Sequence, residues 1–479
     1  MKYKILLTGT AMMLLSGCIN LQPDYKRPEL AAPNSWPTGS AYRPAAYDPK
    51  KPTIADMAWD RFFSDDKLRK LIDIGIANNR DLRVAMLDVV KARAQYRVQR
   101  AEQLPTVNLE GQGTIERTPR RLSQTGKTDT SHQYTADIGV SSYELDLFGR
   151  IQSLKDQALE QFFATEEAQR SSQITLVAEI ANAYVTLAAD MERLKLAQDT
   201  LMSQQQSYDL TKRSFEIGNS SELDVRQAQT SVDTARVDIA TFTANIAQDQ
   251  NALALLLGTS VSSELLPEQT LGTVTALQDI PAGIPSDVLQ RRPDILQAEH
   301  TLKGANANIG AARAAFFPKI TLTATSGRAS DALSTLFKAG TGAWSFAPDI
   351  VLPIFDWGQN QANLDAAKAD RDINIAQYDK AIQTAFEEVA NALADYGTID
   401  DKVAAQQSLV EATSESYRLS DARYRKGVEN YLNVLDSQRS MYSAQQDLIT
   451  IRLDKQTNLV TLYKVLGGGW TKSAVEPAS

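Results

Sequence analysis

SYDLTKRSFEIG (207–218) and SYRLSDARYRKG (416–427) are one stretch written twice, 209 residues apart. At that offset EIANA (179–183) falls on EVANA (388–392), Leu223 on Leu432, Val225 on Val434, Gln229 on Gln438 and Gly258 on Gly467. Upstream the offset is 213: Asp81 of NNRDL meets Asp294 of RRPDI, and PTVNL (105–109) meets PKITL (318–322). One chance match is cheap, but a register kept from 179 to 258 is an internal duplication whose length difference sits in connecting loops.

Each copy reads as a helix, two strands and two very long helices. In VNLEGQGTI, Val107, Leu109 and Ile115 alternate with Asn108, Glu110, Gln112 and Thr114. Tyr134, Ala136, Ile138 and Val140 alternate with Thr135 and Asp137 in the next strand. Ile320, Leu322 and Ala324 repeat the device against Thr321, Thr323 and Thr325, and Trp344, Phe346 and Ile350 against Ser345, Ala347 and Asp349. Period-two alternation predicts strands with one apolar and one polar face. A soluble sandwich shares that pattern, so the helices have to decide.

After Gly149 the chain reaches Phe215 without proline or glycine, and after Gly358 it reaches Lys426 with only Gly397 inside. Some 65 helical residues extend about 100 Å, against a usual globular helix of about a dozen residues. Val177, Ile180, Tyr184, Leu187, Met191 and Leu194 step by three and four, and Val225 to Leu256 keep the rhythm, broken at Asp249. A sustained 3.5 repeat predicts supercoiled helices. Gly218 and Gly427 fit helix ends, and Ser221 or Asn219 can cap the returning helix, so each long pair is an antiparallel hairpin. LGGGW (466–470) follows a helix and lacks the phosphate-loop lysine, so it is a helix stop.

The chain opens MKYKILLTGTAMMLLSGCIN, and Cys18 is its one cysteine. Lys2 and Lys4, an apolar run and then Ser16–Gly17 have the layout of a secretory signal. L-S-G-C further resembles a lipobox, which makes Cys18 the first mature residue and the carrier of a covalent lipid. Ile19 is not the aspartate that typically retains such lipoproteins in the inner membrane. Each buried methylene contributes about 0.8 kcal/mol, so several chains anchor stably. No other stretch reads as a transmembrane helix, so any crossing falls to the strands.

The formal net charge of −8 argues against a nucleic-acid partner. With His132 and His300 the only histidines, a zinc or histidine-based catalytic site is not expected, nor is a cofactor beyond the lipid on Cys18. The expected organisation is a signal peptide 1–17, an extended lipid-anchored segment 18–60, repeat 1 at 61–266, repeat 2 at 267–466 and a tail 467–479. Expected strands are 105–116, 133–145, 318–326 and 344–354, with long helices 149–215, 221–257, 358–425 and 429–466 and a helix 293–315. Four strands cannot close a barrel, and an open sheet in lipid leaves its edges unpaired. Other copies of the chain must complete it. Three would give 12 strands and 12 long helices, although physics demands an oligomer without selecting that number.

LSGC, PDYKRPE (23–29), YELDLFGR (143–150), QRRPD (290–294), ANIGAARAAFFPKITL (307–322), LPIFDWG (352–358) and NYLNVLDSQRS (430–440) together resemble the outer-membrane efflux lipoproteins of the TolC/OprM type. The fold class the resemblance implies is mainly α with β: a homotrimeric α-barrel of coiled-coil hairpins continuous with a 12-stranded antiparallel β-barrel. It also implies a passive duct for drugs and small toxicants, with a periplasmic adaptor and an inner-membrane resistance-nodulation-division (RND) transporter as partners and no catalytic residue.

Leu432, Asp436 and Arg439 form an i, i+4, i+7 stripe almost opposite the Val434–Met441 packing stripe. A face turned away from the core near a hairpin tip meets either a lumen or a partner, although exposed Asp and Arg on a long helix are most often merely solvated. The resemblance implies that these three residues line a periplasmic constriction, with Asp224 and Tyr424 as a tip latch. A ring of aspartates would then attract cations, and Arg439 could partner Asp436. Rival readings are a protein-secretion duct and a lipid-anchored coiled-coil scaffold. The scaffold has no use for four apolar strand faces. An enzyme has the least support, since no paired carboxylates sit on a glycine-bounded loop between strand and helix.

Overall fold

The computed structural model describes residues 20–29, 31–33, 35–42, 57–124, 126–268, 271–272 and 286–470. Cys18, the signal 1–17 and the tail beyond Trp470 lie outside the described residues. The elements are α1 (Trp59–Phe62), α2 (Asp66–Asn78), α3 (Arg80–Ala101), β1 (Val107–Thr118), β2 (Asp129–Glu144), α4 (Arg150–Glu216) and α5 (Glu222–Leu257), then α6 (Pro293–Ala314), β3 (Lys319–Ser330), β4 (Gly342–Val351), α7 (Gln359–Arg425) and α8 (Tyr431–Val465). Helices α4 and α7 each have 67 residues and begin and end 209 positions apart.

The duplication does not fold as two domains. One compact unit takes Met1–Glu29, Val89–Thr165 and Ala298–Tyr378; the other takes Leu30–Asp88, Glu166–Gln297 and Asp379–Ser479. Each draws on both repeats, because the sheet joins them: its order is β1-β2-β3-β4, antiparallel throughout, with β2 of repeat 1 paired to β3 of repeat 2.

In the first unit the register aligns Leu109, Ile138, Ser326 and Trp344 across one face, and Val107, Val140, Ala324 and Phe346 beside them. The opposite face carries Glu110 beside Asp137, and Thr325 whose hydroxyl meets that of Ser345 at 2.8 Å. Facing like charges destabilise a dry sheet, so this side belongs to water. The other side is bare of protein. Leu109 is 83% exposed, Trp344 80% and Ile350 65%, and every residue of β4 is exposed. Strands β1 and β4 are open edges within the chain. At β2, Gly139 and at β3, Gly327 face partner backbone so closely that a Cβ would collide.

Residues 20–29 have no regular structure, as expected, but they are specifically held. Arg27 forms two hydrogen bonds to Glu299 (3.0 and 2.6 Å), Asn306 Nδ2 donates to the Pro23 carbonyl (2.8 Å) and Arg313 to that of Leu21 (3.0 Å). Gly310 leaves room for Gln22, whose backbone an added Cβ would crowd.

The second unit is the helical core. Trp59 and Phe62 of α1 are fully buried, so regular structure starts inside the segment expected to be extended to residue 60. Phe62 stacks on Tyr463 at 3.9 Å, and Tyr463 donates to the Met57 carbonyl (2.7 Å). Among the described residues one helix, α4, is after all long and apolar enough to cross a membrane by length and composition, but 67% of that apolar window is buried within the chain. Val177, Ile180, Tyr184 and Leu187 are the buried stripe the 3.5 repeat predicts. It is core.

The repeats are tied by equivalent bonds. Asn79 Nδ2 donates to the Leu256 carbonyl (2.9 Å), and its counterpart Arg292 donates to the Val465 carbonyl (2.8 Å), the counterpart of Leu256. Arg292 is buried and also bonds Asp294 and Glu388 at 2.7 Å each. Burial disfavours its charge, but these carboxylates outweigh that and hold its pKa up. Glu179, the counterpart of Glu388, is exposed.

Candidate functional site

Both hairpin tips are built alike. Gly218 (φ 81°) and Gly427 (φ 69°) take the left-handed conformation that ends a helix. In one, Asn219 N–H donates to the Ser214 carbonyl (2.8 Å); in the other, Val428 N–H donates to that of Arg423 (3.0 Å). Ser221 caps α5 and its counterpart Asn430 caps α8, each accepting from the backbone three residues on.

The stripe falls where its spacing places it. On α8, Tyr431, Val434, Leu435 and Gln438 are buried, whereas Leu432, Asp436 and Arg439 are all exposed. Arg439 does not pair with Asp436 among the described ion pairs; its guanidinium lies 3.4 Å from the hydroxyl of Thr230, the residue equivalent to Arg439 in repeat 1. The expected pair is two positions of one surface, each open to another molecule.

Asp224 and Tyr424 are not joined within the chain. Asp224 Oδ2 accepts from Ser221 N–H (2.9 Å) and from the hydroxyls of Ser221 (2.8 Å) and Ser220 (3.0 Å), completing a capping box. Partial burial pushes its carboxyl up, but these bonds prevail and hold it below the ordinary range. Tyr424 instead packs on Tyr431, centroids 5.4 Å apart, within a cluster of Ala228, Val434, Leu435, Tyr208 and Tyr417. Tyr208 and Tyr417 are duplicates, so this aromatic knot had a signal in the repeat that spacing arguments alone passed over. Burial pushes the Tyr431 hydroxyl up to about 12.

Among the described residues no group of potential metal ligands is found, at the tips or elsewhere. What the tips present is a capped surface carrying exposed apolar residues on both hairpins, Ile217 (72%) and Leu223 (65%) on one and Val428 (66%) and Leu432 (44%) on the other.

The family profile described as outer membrane efflux protein matches residues 71–259 and again 284–468, once per repeat. The chain belongs to the outer membrane efflux protein family. Among relatives of this efflux protein, the probable efflux pump outer membrane protein TtgC of Pseudomonas putida is 49% identical over 470 residues, 98% of this chain and 96% of that one. The outer membrane protein OprJ of Pseudomonas aeruginosa is 41% identical over 465 residues, 96% of each chain. Two solved structures agree: a membrane protein from Pseudomonas aeruginosa (TM-score 0.88, 40% identity, 94% and 98% of the two chains) and the open state of the Neisseria gonorrhoeae MtrE outer membrane channel (TM-score 0.84, 37%, 94% and 98%). The resemblance read from the motifs is therefore borne out. This is an outer-membrane efflux protein, and its sheet has the bare apolar face that lipid requires.

Proposed function

We propose that three copies of the chain close into a passive duct through the outer membrane and across the periplasm, the outlet of a tripartite pump. The observation that carries this reading is the sheet, apolar on one exposed face, hydrated on the other and open at β1 and β4. In lipid such edges must be paired, and strands from neighbouring copies do so at no cost in new chemistry. The cargo is small and toxic: relatives are named for antibiotic and solvent efflux, which favours efflux over a duct for secreted proteins. A periplasmic adaptor and an inner-membrane RND transporter supply recognition and energy, so the chain needs no enzyme activity and no cofactor beyond a lipid on Cys18.

Leu432 and Asp436, repeated three times around the axis, form a greasy and then an anionic ring at the periplasmic end, with Arg439 beside them. Asp224 and Tyr424 contribute to the tip contacts that a partner loosens. Susceptibility profiling of a deletion strain tests the function. The intact chain restores tolerance to several unrelated compounds, and Cys18→Ala restores it less well; if the intact chain leaves susceptibility unchanged, the reading fails.

A further inference from the structure

The apolar rhythm of α5 is broken once, at Asp249. This residue is partly buried, and its Oδ2 is shielded from solvent without a hydrogen-bond partner. A buried unpartnered carboxylate oxygen is costly. Its neighbourhood makes ionisation harder still. Asp190 on α4, itself buried, already holds a negative charge, neutralised by Arg193 at 2.6 Å. Arg193 also donates to Thr450 of α8 (2.9 Å), so its donors are shared. Asp190 and Arg193 are the charged groups that bear on Asp249, the first opposing its charge and the second favouring it. The ion pair that does join α4 to α8 nearby, Glu192 with Arg452 at 3.7 Å, is looser than Asp190–Arg193 within α4.

The second repeat shows the same position with different chemistry. The counterparts of Asp190, Arg193 and Asp249 are Ile399, Lys402 and Asn458. Asn458 Nδ2 donates to the Ala392 carbonyl (3.1 Å), and the residue equivalent to Ala392 is Ala183 on α4. An ionised aspartate has no proton to give such a carbonyl. A neutral one is close in shape to asparagine and carries one donor, O–H in place of N–H.

We propose that Asp249 is a proton-binding site in the helical wall, taking one proton from solvent on Oδ2 and donating it to the Ala183 carbonyl as Asn458 does to Ala392. Proton uptake fastens α5 to α4; release leaves two like charges at the contact and loosens it. Burial first, and Asp190 second, push the Asp249 carboxyl up to about 6, so the switch lies in the range of mild acidification. Between the ordinary carboxylate pKa and that value the folded chain binds a proton the unfolded chain lacks, so stability falls as pH rises.

The test is thermal unfolding of the intact protein in detergent from about pH 3 to about pH 8, which brackets the span between the ordinary carboxylate pKa and about 6 over which this linkage acts. Asp249→Asn should unfold at a higher temperature than wild type above pH 7, the difference closing to nothing in acid. A difference that is constant across the range overturns the proposal. Infrared spectra supply the second measurement: a protonated-carboxyl band present in wild type near pH 6 and absent from Asp249→Asn. Asp190→Asn should move the titration of that band to lower pH, and a band indifferent to both substitutions contradicts the assignment.

Discussion

The two repeats share a backbone plan and differ in how they fasten it. Asn79 holds the end of α5 with one neutral hydrogen bond; Arg292 holds the end of α8 while buried between Asp294 and Glu388. At the tips repeat 1 has Leu223, Gln227 and Thr230 at the positions where repeat 2 has Leu432, Asp436 and Arg439. The charge at the tip stripe lies in repeat 2, and the carboxyl pair in the wall, Asp190 with Asp249, lies in repeat 1. A duplicated chain keeps what sets the backbone, namely left-handed glycines, caps and carbonyl anchors. Divergence gathers where each copy meets a different neighbour.

The largest contrast should appear at the tip stripe. Leu432→Ala with Asp436→Ala removes the proposed ring and should raise single-channel conductance in a planar bilayer, whereas Leu223→Ala with Gln227→Ala should leave it nearly unchanged. Equal effects in both repeats would move the gate elsewhere. Next come the anchors. Arg292→Ala strands the Val465 carbonyl and removes the partner of two carboxylates; because Glu388 is partly solvated, the expected loss is about 3 kcal/mol, the low end for breaking a buried pair. Asn79→Ala should cost about 1–2 kcal/mol, and denaturant unfolding of the two variants distinguishes them. The smallest effect is at the caps. Ser221→Ala and Asn430→Ala should each cost about 1 kcal/mol, read as faster amide exchange in the first turn of α5 or α8. The α5 cap has a further pH dependence: the Asp224 carboxyl is held below its ordinary range, so its contribution is present at neutral pH and is lost as pH falls through the folded pKa.

Much of this architecture was legible because its signals are local. Runs without proline or glycine fixed the long helices to within two residues of their ends, and Gly218 and Gly427 marked the tips. Strand β2 began earlier than expected, at Asp129, because TDTSH is polar on both faces and gives no alternation to read. The hold on residues 20–29 was hidden for another reason: its partners Glu299, Asn306 and Arg313 are some 270–290 positions away. At the tip, the exposed stripe followed from spacing, but the partner of Arg439 and the role of Asp224 did not. Asp224 had a nearer use, the capping box with Ser221, and a helix start satisfies its own donors before a distant tyrosine can compete.

The account turns on the chain being a segment of wall that its own residues cannot finish. Native mass spectrometry of the protein in detergent, with and without cysteine crosslinks engineered between the free edges of β1 and β4, examines that most directly. The account predicts a particle of three chains whose crosslinks join different copies. A single chain, or crosslinks closing β1 onto β4 of the same copy, would contradict it.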